Sequence, residues 1–385
     1  MKTLGKLLMA ALALTLLLTG CASPMTPNQS EPTETAAPAT EPVTNPTTEP
    51  TTEPPTEPAT EPTTEPAPVE VVLKLTAVGD CTLGYDDRYG KDWRFDTMVK
   101  TQNGDFGYFF RGVQDIFAND DITLVNLEGT FTNHTVKVPK TYNFRGDPSY
   151  VEILTRGSVE AVSLGNNHSR DYGEVGLTDT IRTLEDNDIV YSVDDRCGVY
   201  RVKGLAIGFI SVNVVYDGTA VEKYIQTAME DLRAQSVNMI IVSCHWGKEG
   251  SHKLTDYQQE LGHKIIDWGA DLIIGNHPHR LQAVEEYKGK MIFYSLANFC
   301  FGGNNNPGYK DSLIVTQELH FIDGVFTGSE TTVIPCSVSS VTWRNDFQPT
   351  ILTGEDGQRI LDAMNSYSKP FGISFDEDGH MHKAD

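Results

Sequence analysis

Basic residues are in short supply in this 385-residue chain: 30 Lys and Arg stand against 53 Asp and Glu, for a formal charge of −23. So acidic a surface repels phosphate backbones and anionic headgroups, which excludes non-specific binding of nucleic acid or anionic lipid. Cysteine is sparse as well, with six residues at 21, 81, 197, 244, 300 and 336. No pair is spaced Cys-x-x-Cys, so zinc-finger and dithiol redox motifs are absent. Setting Cys21 aside leaves an odd number, which cannot all pair within one chain. Cys244 and Cys300 lie in apolar, strand-like runs and read as small buried hydrophobes. Residues 22–68 lack Lys and Arg altogether and consist mostly of Thr, Glu, Pro and Ala in repeats such as TEPTTEP. No core can be built from that composition. Its proline content favours an extended chain, about 3.1 Å per residue, so the segment reaches on the order of 150 Å and reads as a tether.

Ahead of the tether, residues 1–20 have the anatomy of a signal peptide: Lys2 and Lys6, then the apolar run LLMAALALTLLLTG, ending at Cys21. The run is short for a membrane span and carries small residues before the cut. Leu18-Thr19-Gly20-Cys21 resembles the bacterial lipobox. The resemblance implies acylation of Cys21, two chains giving stable anchoring where one would not. Residues 69–385 then form one folded domain, held at the outer face of a bacterial cytoplasmic membrane.

Within that domain, apolar runs alternate with amphipathic stretches, the pattern of an α/β protein. Five β-branched runs each finish in metal-binding residue types. LKLTAVGD ends in Asp80, DITLVNLE in Glu128, EAVSLGNNH in Asn167 and His168, NMIIVSCHWG in His245, and ADLIIGNHPH in His277 and His279. In α/β sheets the functional crevice lies beyond the carboxyl ends of strands, so these ends are expected to gather at one edge. In an extended segment, residues i and i+2 face the same way, which aims His277 and His279 at one centre. Helices are expected over Glu174–Asn187, Val221–Ala234, Asp256–Trp268 and Asp356–Ser366. SLIVTQELHF and GVFTGSETTVIP are expected to complete a second sheet.

Taken singly, each site residue has a bland role, as a turn, a helix cap or a solvated strand end. Together they compose a carboxylate, amide and imidazole set without thiolate, which suits Mn²⁺, Fe or Zn²⁺ better than Mg²⁺ or Ca²⁺. One or two such ions would favour hydrolysis.

The series AVGDCTLG, NLEGTFTN, YNFRGDP, SLGNNHSRDYGEVGL, CHWGKEG and GADLIIGNHPHRLQAVEEYKGKMIFYSLANFCF resembles the calcineurin-like metallophosphoesterase superfamily. Within it, the nearest likeness is to the CapA-type branch, the poly-γ-glutamate capsule-synthesis proteins. The resemblance spans residues 71 to about 305 and implies a four-layer αββα sandwich with a metal centre at the strand ends. It assigns Asp80 to a first metal, Glu128 to the bridging acid and Asn167 to the amide ligand. His245 and His277 fall to a second metal, His279 returns to the first, and His168 is the general acid. Asp80-Cys81-Thr82 departs from the superfamily's Asp-x-His, which weakens the first position. Glu replaces Asp as the bridge, and Ser169 stands where an acid usually orients the catalytic ring. Asp171 is read either as support for His168 or as a helix cap.

Arg145 is the candidate to grip an anion through its guanidinium, with pairing to Asp147 as the alternative. Asn298 is the candidate to line the same cleft. The function implied is synthesis, release or trimming of an anionic polymer such as poly-γ-glutamate, at the membrane and in company with a capsule-synthesis complex. Two other readings stand beside it: an extracellular phosphoesterase, and a non-catalytic scaffold subunit with a degenerate metal site.

Overall fold

The computed structural model describes residues 67–384; the leader, Cys21 and nearly all of the tether lie outside the described residues. β1 (Glu70–Thr82) is the strand on which the first sheet is assembled. It runs parallel to β2 (Ile122–Leu127), and the parallel series continues past the short pair β3 (Thr130–Phe131) and β4 (Arg145–Gly146) to β5 (Ala161–Ser163) and β6 (Val190–Ser192). The second sheet contains β7 (Gly198–Val202), β8 (Leu205–Asn213), β9 (Met239–His245), β10 (Leu272–Asn276), β11 (Val284–Tyr287) and β12 (Lys290–Phe293). Its spatial order is β11-β12-β10-β9-β8-β7, with β8, β9, β10 and β12 parallel and both edges antiparallel.

β13 (Asn298–Phe301) returns to the first sheet beside the end of β1, pairing Asp80 with Asn298. β14 (Asp311–Ile322), β15 (Val325–Ser337) and β16 (Thr350–Ile351) follow as an antiparallel extension on the flank of β1 opposite β2, and β17 (Ile373–Phe375) with β18 (Met381–Lys383) forms a small hairpin. The two C-terminal strands therefore extend the first sheet, not the second as their sequence suggests. Leu313, Val315 and Leu319 of β14 join the same apolar cluster as Leu73, Leu75 and Ala77 of β1, so pairing there aligns two buried faces.

Strand alternation decides which apolar groups meet. In β2, Leu124 joins a cluster shared by both sheets, while its neighbour Val125 packs with Leu177 and Ile181 of the helix Gly173–Glu185. In β9, Ile241 enters the shared cluster and Val242 packs with Ile225 and Met229 of the helix Val221–Ala234 and Ile265 of Asp256–Asp267. That last helix begins with a capping box, in which the Thr255 hydroxyl accepts from the Gln258 N–H and the Gln258 side chain answers the Thr255 N–H. The helices lie within a few residues of their expected bounds, the last one running Gly354–Ser368. The molecule is thus an α/β fold of two mixed sheets and several helices. The five described cysteines are unpaired, and Cys81, Cys244, Cys300 and Cys336 are buried. No helix among the described residues is long and apolar enough to cross a membrane.

The sheets are joined tightly just after β5. The Gly165 N–H donates to the Ser211 hydroxyl of β8 at 3.0 Å, and that hydroxyl donates to the Ser192 carbonyl of β6 at 2.5 Å. A Cβ at Gly165 would run into the backbone of Ser211 and Val212. Gly165→Ala is therefore expected to lower stability by about 1–3 kcal/mol through overpacking, measured by urea denaturation, with a larger loss than Gly204→Ala, where a Cβ has open space but φ is positive.

Candidate metal centre

Asp80 lies near the end of β1, with Thr82 two residues on, and the strand runs past Asp80 because β13 pairs alongside it. The Asp80 N–H donates to the Ala297 carbonyl at 2.9 Å, an approach that needs Gly79, since a Cβ there would strike the same carbonyl. Glu128 follows β2 directly, and Asn126, two residues earlier, faces the same way: its Nδ2 donates to Asp80 Oδ1 at 2.8 Å and lies 3.3 Å from His245 Nδ1. Asn166 then fixes Asn126, donating to its Oδ1 at 3.1 Å and to the Leu127 carbonyl at 2.9 Å.

The imidazoles come from the second sheet. His245 ends β9, and its Nε2 lies 3.1 Å from His277 Nδ1 and 3.7 Å from Glu128 Oε1. His279 Nδ1 lies 3.0 Å from Asp80 Oδ2 and 2.8 Å from Asn298 Oδ1. The segment carrying these two histidines is not extended, as its sequence suggests. His277 and His279 have φ of 95° and 52°, so a strained bend after β10 brings the rings together. Asp80, Glu128 and His279 present ligand atoms within 4.8 Å of one another, a three-residue group able to hold a metal ion.

Glu128 is completely buried and neither of its oxygens has a hydrogen-bond partner; the buried Asn167 Oδ1 is likewise without one. Such acceptors are rare inside proteins unless an ion or water answers them. Burial, reinforced by Asp80, pushes the Glu128 carboxyl up to about 8. Burial and then His279 hold His277 down to about 4 against the pull of Asp80, and burial keeps His245 well below its ordinary value. Neutral imidazoles are the form that ligates metal. Burial opposes charge on His279 too, but Glu128 and Asp80 outweigh it and raise the ring to about 9.

His168 stands beside this cluster, its Nε2 3.8 Å from Glu128 Oε1. Its Nδ1 meets Asp171 Oδ2 at 2.7 Å, and its ring stacks on Phe144 with centroids 4.1 Å apart. Asp171 thus supports the ring from three residues on, compensating for Ser169, which is turned away to the Asn166 carbonyl. Asp171 also accepts from the Phe144 N–H at 2.5 Å and pairs with the Lys140 ammonium, which donates to the Asn167 carbonyl at 2.6 Å. Burial lowers the His168 pKa, with Asp171 opposing it.

A cavity of about 510 Å³ opens over these groups, lined by Asn167, His168, His277, His279 and Asn298 together with Lys140 and Arg280. Arg145 is placed elsewhere. The β3–β4 pairing turns its guanidinium 5.4 Å from the Tyr172 ring and onto the His134 carbonyl at 3.2 Å, while Asp147 caps Ser149 instead of pairing with it. The cations at the cavity are Lys140 and Arg280. Sequence reasoning passes over both, and over Asn126, although its position two residues before Glu128 on a strand is a usable signal.

The family described as "Bacterial capsule synthesis protein PGA_cap" matches residues 74–303. This chain belongs to that family. Among PGA_cap relatives, the capsule biosynthesis protein CapA of Bacillus anthracis is 28% identical over 282 residues, 64% of each chain. The PGA biosynthesis protein CapA of Bacillus subtilis (strain 168) is 30% identical over 251 residues, 60% of this chain and 63% of its own. The chain therefore spans just under two thirds of the length of these curated relatives. A solved hypothetical protein from Thermus thermophilus aligns with a TM-score of 0.40 at 14% identity, covering 68% of this chain and 99% of its own, a likeness too slight to bear on function.

The Glu128 carboxyl gives a testable pH dependence. Its ordinary value is 4.5 and its folded, metal-free value about 8, so between the two the folded protein keeps a proton that the unfolded chain releases. Stability in chelator is then expected to fall as pH rises through that window. Thermal melts should show this decline in the wild type and a flatter profile in Glu128→Gln. Saturating Mn²⁺ or Zn²⁺ should raise the wild-type Tm and leave the variant's nearly unchanged.

Proposed function

We propose that this protein acts on poly-γ-glutamate, in its synthesis, release or trimming, through a metal-dependent hydrolytic site. The observation that carries the reading is Glu128: a buried carboxylate with both oxygens unpartnered, set between Asp80 and the rings of His245 and His279. The donor set fits a divalent Mn, Fe or Zn ion, which Asp80, Glu128 and His279 would hold, with Asn167, His245 and His277 available to ligate a second ion. When bound, such a metal supplies Lewis acidity and makes a water nucleophilic near neutral pH. The fold reading that accompanies it is the four-layer αββα sandwich of the metallophosphoesterases, supported by an apolar cluster shared between the two sheets and by helices on their outer faces.

The chain's own residues then have distinct tasks. Asp171 holds the Nδ1 proton of His168, leaving Nε2 to deliver a proton to the departing group. Phe144 fixes the ring plane, and Lys140 ties Asp171 to the Asn167 backbone so that acid and amide move together. Lys140 and Arg280 receive substrate carboxylates at the cavity wall. Acylated Cys21 and the tether of residues 21–68 would keep the domain 69–385 at the outer membrane face, among capsule polymers and beside a membrane synthesis complex. A scaffold role with a degenerate centre is the second reading. It is favoured by Thr82, whose buried, unpartnered hydroxyl replaces an imidazole.

Incubating the protein with Mn²⁺ and poly-γ-glutamate is expected to shorten the polymer on a sizing column. His168→Ala should slow this by about 10²–10⁴-fold, and His277→Ala should abolish it. Turnover of aryl phosphates without polymer shortening would move the assignment to a phosphoesterase. Absence of bound transition metal by elemental analysis after reconstitution would leave the scaffold.

A further inference from the structure

Two of the chain's four tryptophans are spent on the surface. Trp93 is 49% exposed and Trp343 is 62% exposed, and their rings meet edge to face with centroids 5.8 Å apart. The Arg344 guanidinium carbon lies 3.9 Å from the Trp93 centroid and 4.5 Å from that of Trp343. A guanidinium seated in the corner between two perpendicular indoles is positioned by cation–π contact without being neutralised. Its Nε and Nη1 have no hydrogen-bond partner although both atoms are buried. Among the described residues Arg344 has no carboxylate partner, in contrast to Arg94 with Asp96, Arg170 with Asp194 and Arg359 with Asp311.

The cluster is continuous with the walls of the candidate centre. Asn345, the residue after Arg344, donates through its side chain to the carbonyls of Phe301 at 2.8 Å and Asn304 at 3.0 Å, and both of those residues line the cavity. On the other flank, Trp93 lies four residues beyond Tyr89, which also lines it. The loop is rigid as well. Lys310 donates to the Arg344 carbonyl at 2.6 Å and to that of Thr342 at 2.6 Å, and Asp346 accepts from the Ser339 hydroxyl at 2.8 Å. Groups held this firmly lose little entropy on binding.

The geometry points to Trp93, Trp343 and Arg344 as a distal subsite for an anionic chain whose reacting link lies in the metal cleft. This rests on the polymer reading above. The occupant is a flexible chain of carboxylates separated by methylenes, as in poly-γ-glutamate: its methylenes lie on the indole faces and a carboxylate takes Nη2, the guanidinium nitrogen that is not buried. A small ester filling the cavity never reaches the subsite, so the subsite sets affinity for length and leaves the chemical step alone.

The test compares long poly-γ-glutamate with a glutamate dimer or trimer, using the full chain loaded with Mn²⁺ and titration calorimetry. Trp343→Ala and Arg344→Gln are expected to weaken binding of the long chain by about tenfold, with binding of the short oligomers and Mn²⁺ unchanged. Trp343→Phe should restore much of the loss, and unchanged melting temperatures would exclude a folding defect. Wild-type binding of long chains that both substitutions leave intact would overturn the subsite while the polymer reading stands. Failure of the wild type to bind any length would overturn both. Loss of binding to a neutral wall glycan, with polymer binding kept, would overturn it in favour of a sugar platform.

Discussion

One constraint organises the candidate metal centre of this molecule: a carboxylate, Glu128, buried where no protein group donates to it. Removing an ionised carboxylate from water costs several kcal/mol unless something answers the charge. Asp80 makes the position worse, and the surrounding imidazoles make it better. Asp171, a short distance away, is equally buried but answered, with His168 and the Phe144 N–H at Oδ2 and the Lys140 ammonium beside Oδ1. Two buried acids in opposite circumstances imply two tasks, one orienting a ring and the other waiting for a cation. A structural role alone would give Glu128 a donor.

Bringing that many polar side chains to one point requires the ends of two sheets to close on each other, and glycine supplies the room. Gly79 precedes Asp80 and abuts the Ala297 carbonyl; Gly165 precedes the Asn166-Asn167-His168 run and abuts Ser211 and Val212; Gly275 stands two residues before His277 and abuts the Tyr294 carbonyl. At each place a Cβ would collide with backbone, which has no rotamer to yield. Three site-bearing strands thus lack a side chain one or two residues ahead of their functional group. The positive φ of His277, His279 and Ala297 is the other side of the same crowding: the chain bends out of regular geometry where the two sheets converge.

Much of this is legible in the sequence, for reasons that differ by residue. The strands of the two sheets announce themselves through β-branched runs, and His245 and Asn167 follow from where those runs stop. The placement of β14 and β15 is not legible, because two amphipathic strands declare that they pair, not with whom; β1 offers the free edge and the matching apolar face. Arg145 misleads for a related cause. Its residue type suits an anion, but a two-residue bridge between β3 and β4 sets its direction, and no periodicity reports so short an element. Lys140 gives no signal at all, being a loop lysine whose partner, Asp171, is brought near only by the fold. Asp171 has two readings from sequence, and the 2.7 Å contact with His168 decides between them.

An acidic domain proposed to act on a polyanion looks self-defeating until distance is considered. At physiological ionic strength, exposed charges more than about 8 Å apart are largely screened from each other, so the −23 of the whole chain matters less to a bound polymer than the few groups lining its path. The cations such a polymer would meet are Arg280 and Lys140 at the cavity and Arg344 at the indole pair. Exposed acids elsewhere would then serve a second purpose, discouraging such a polymer from adsorbing away from the cavity. The scarcity of Lys and Arg would then sharpen selectivity, since a polyanion would find few places to rest on such a surface.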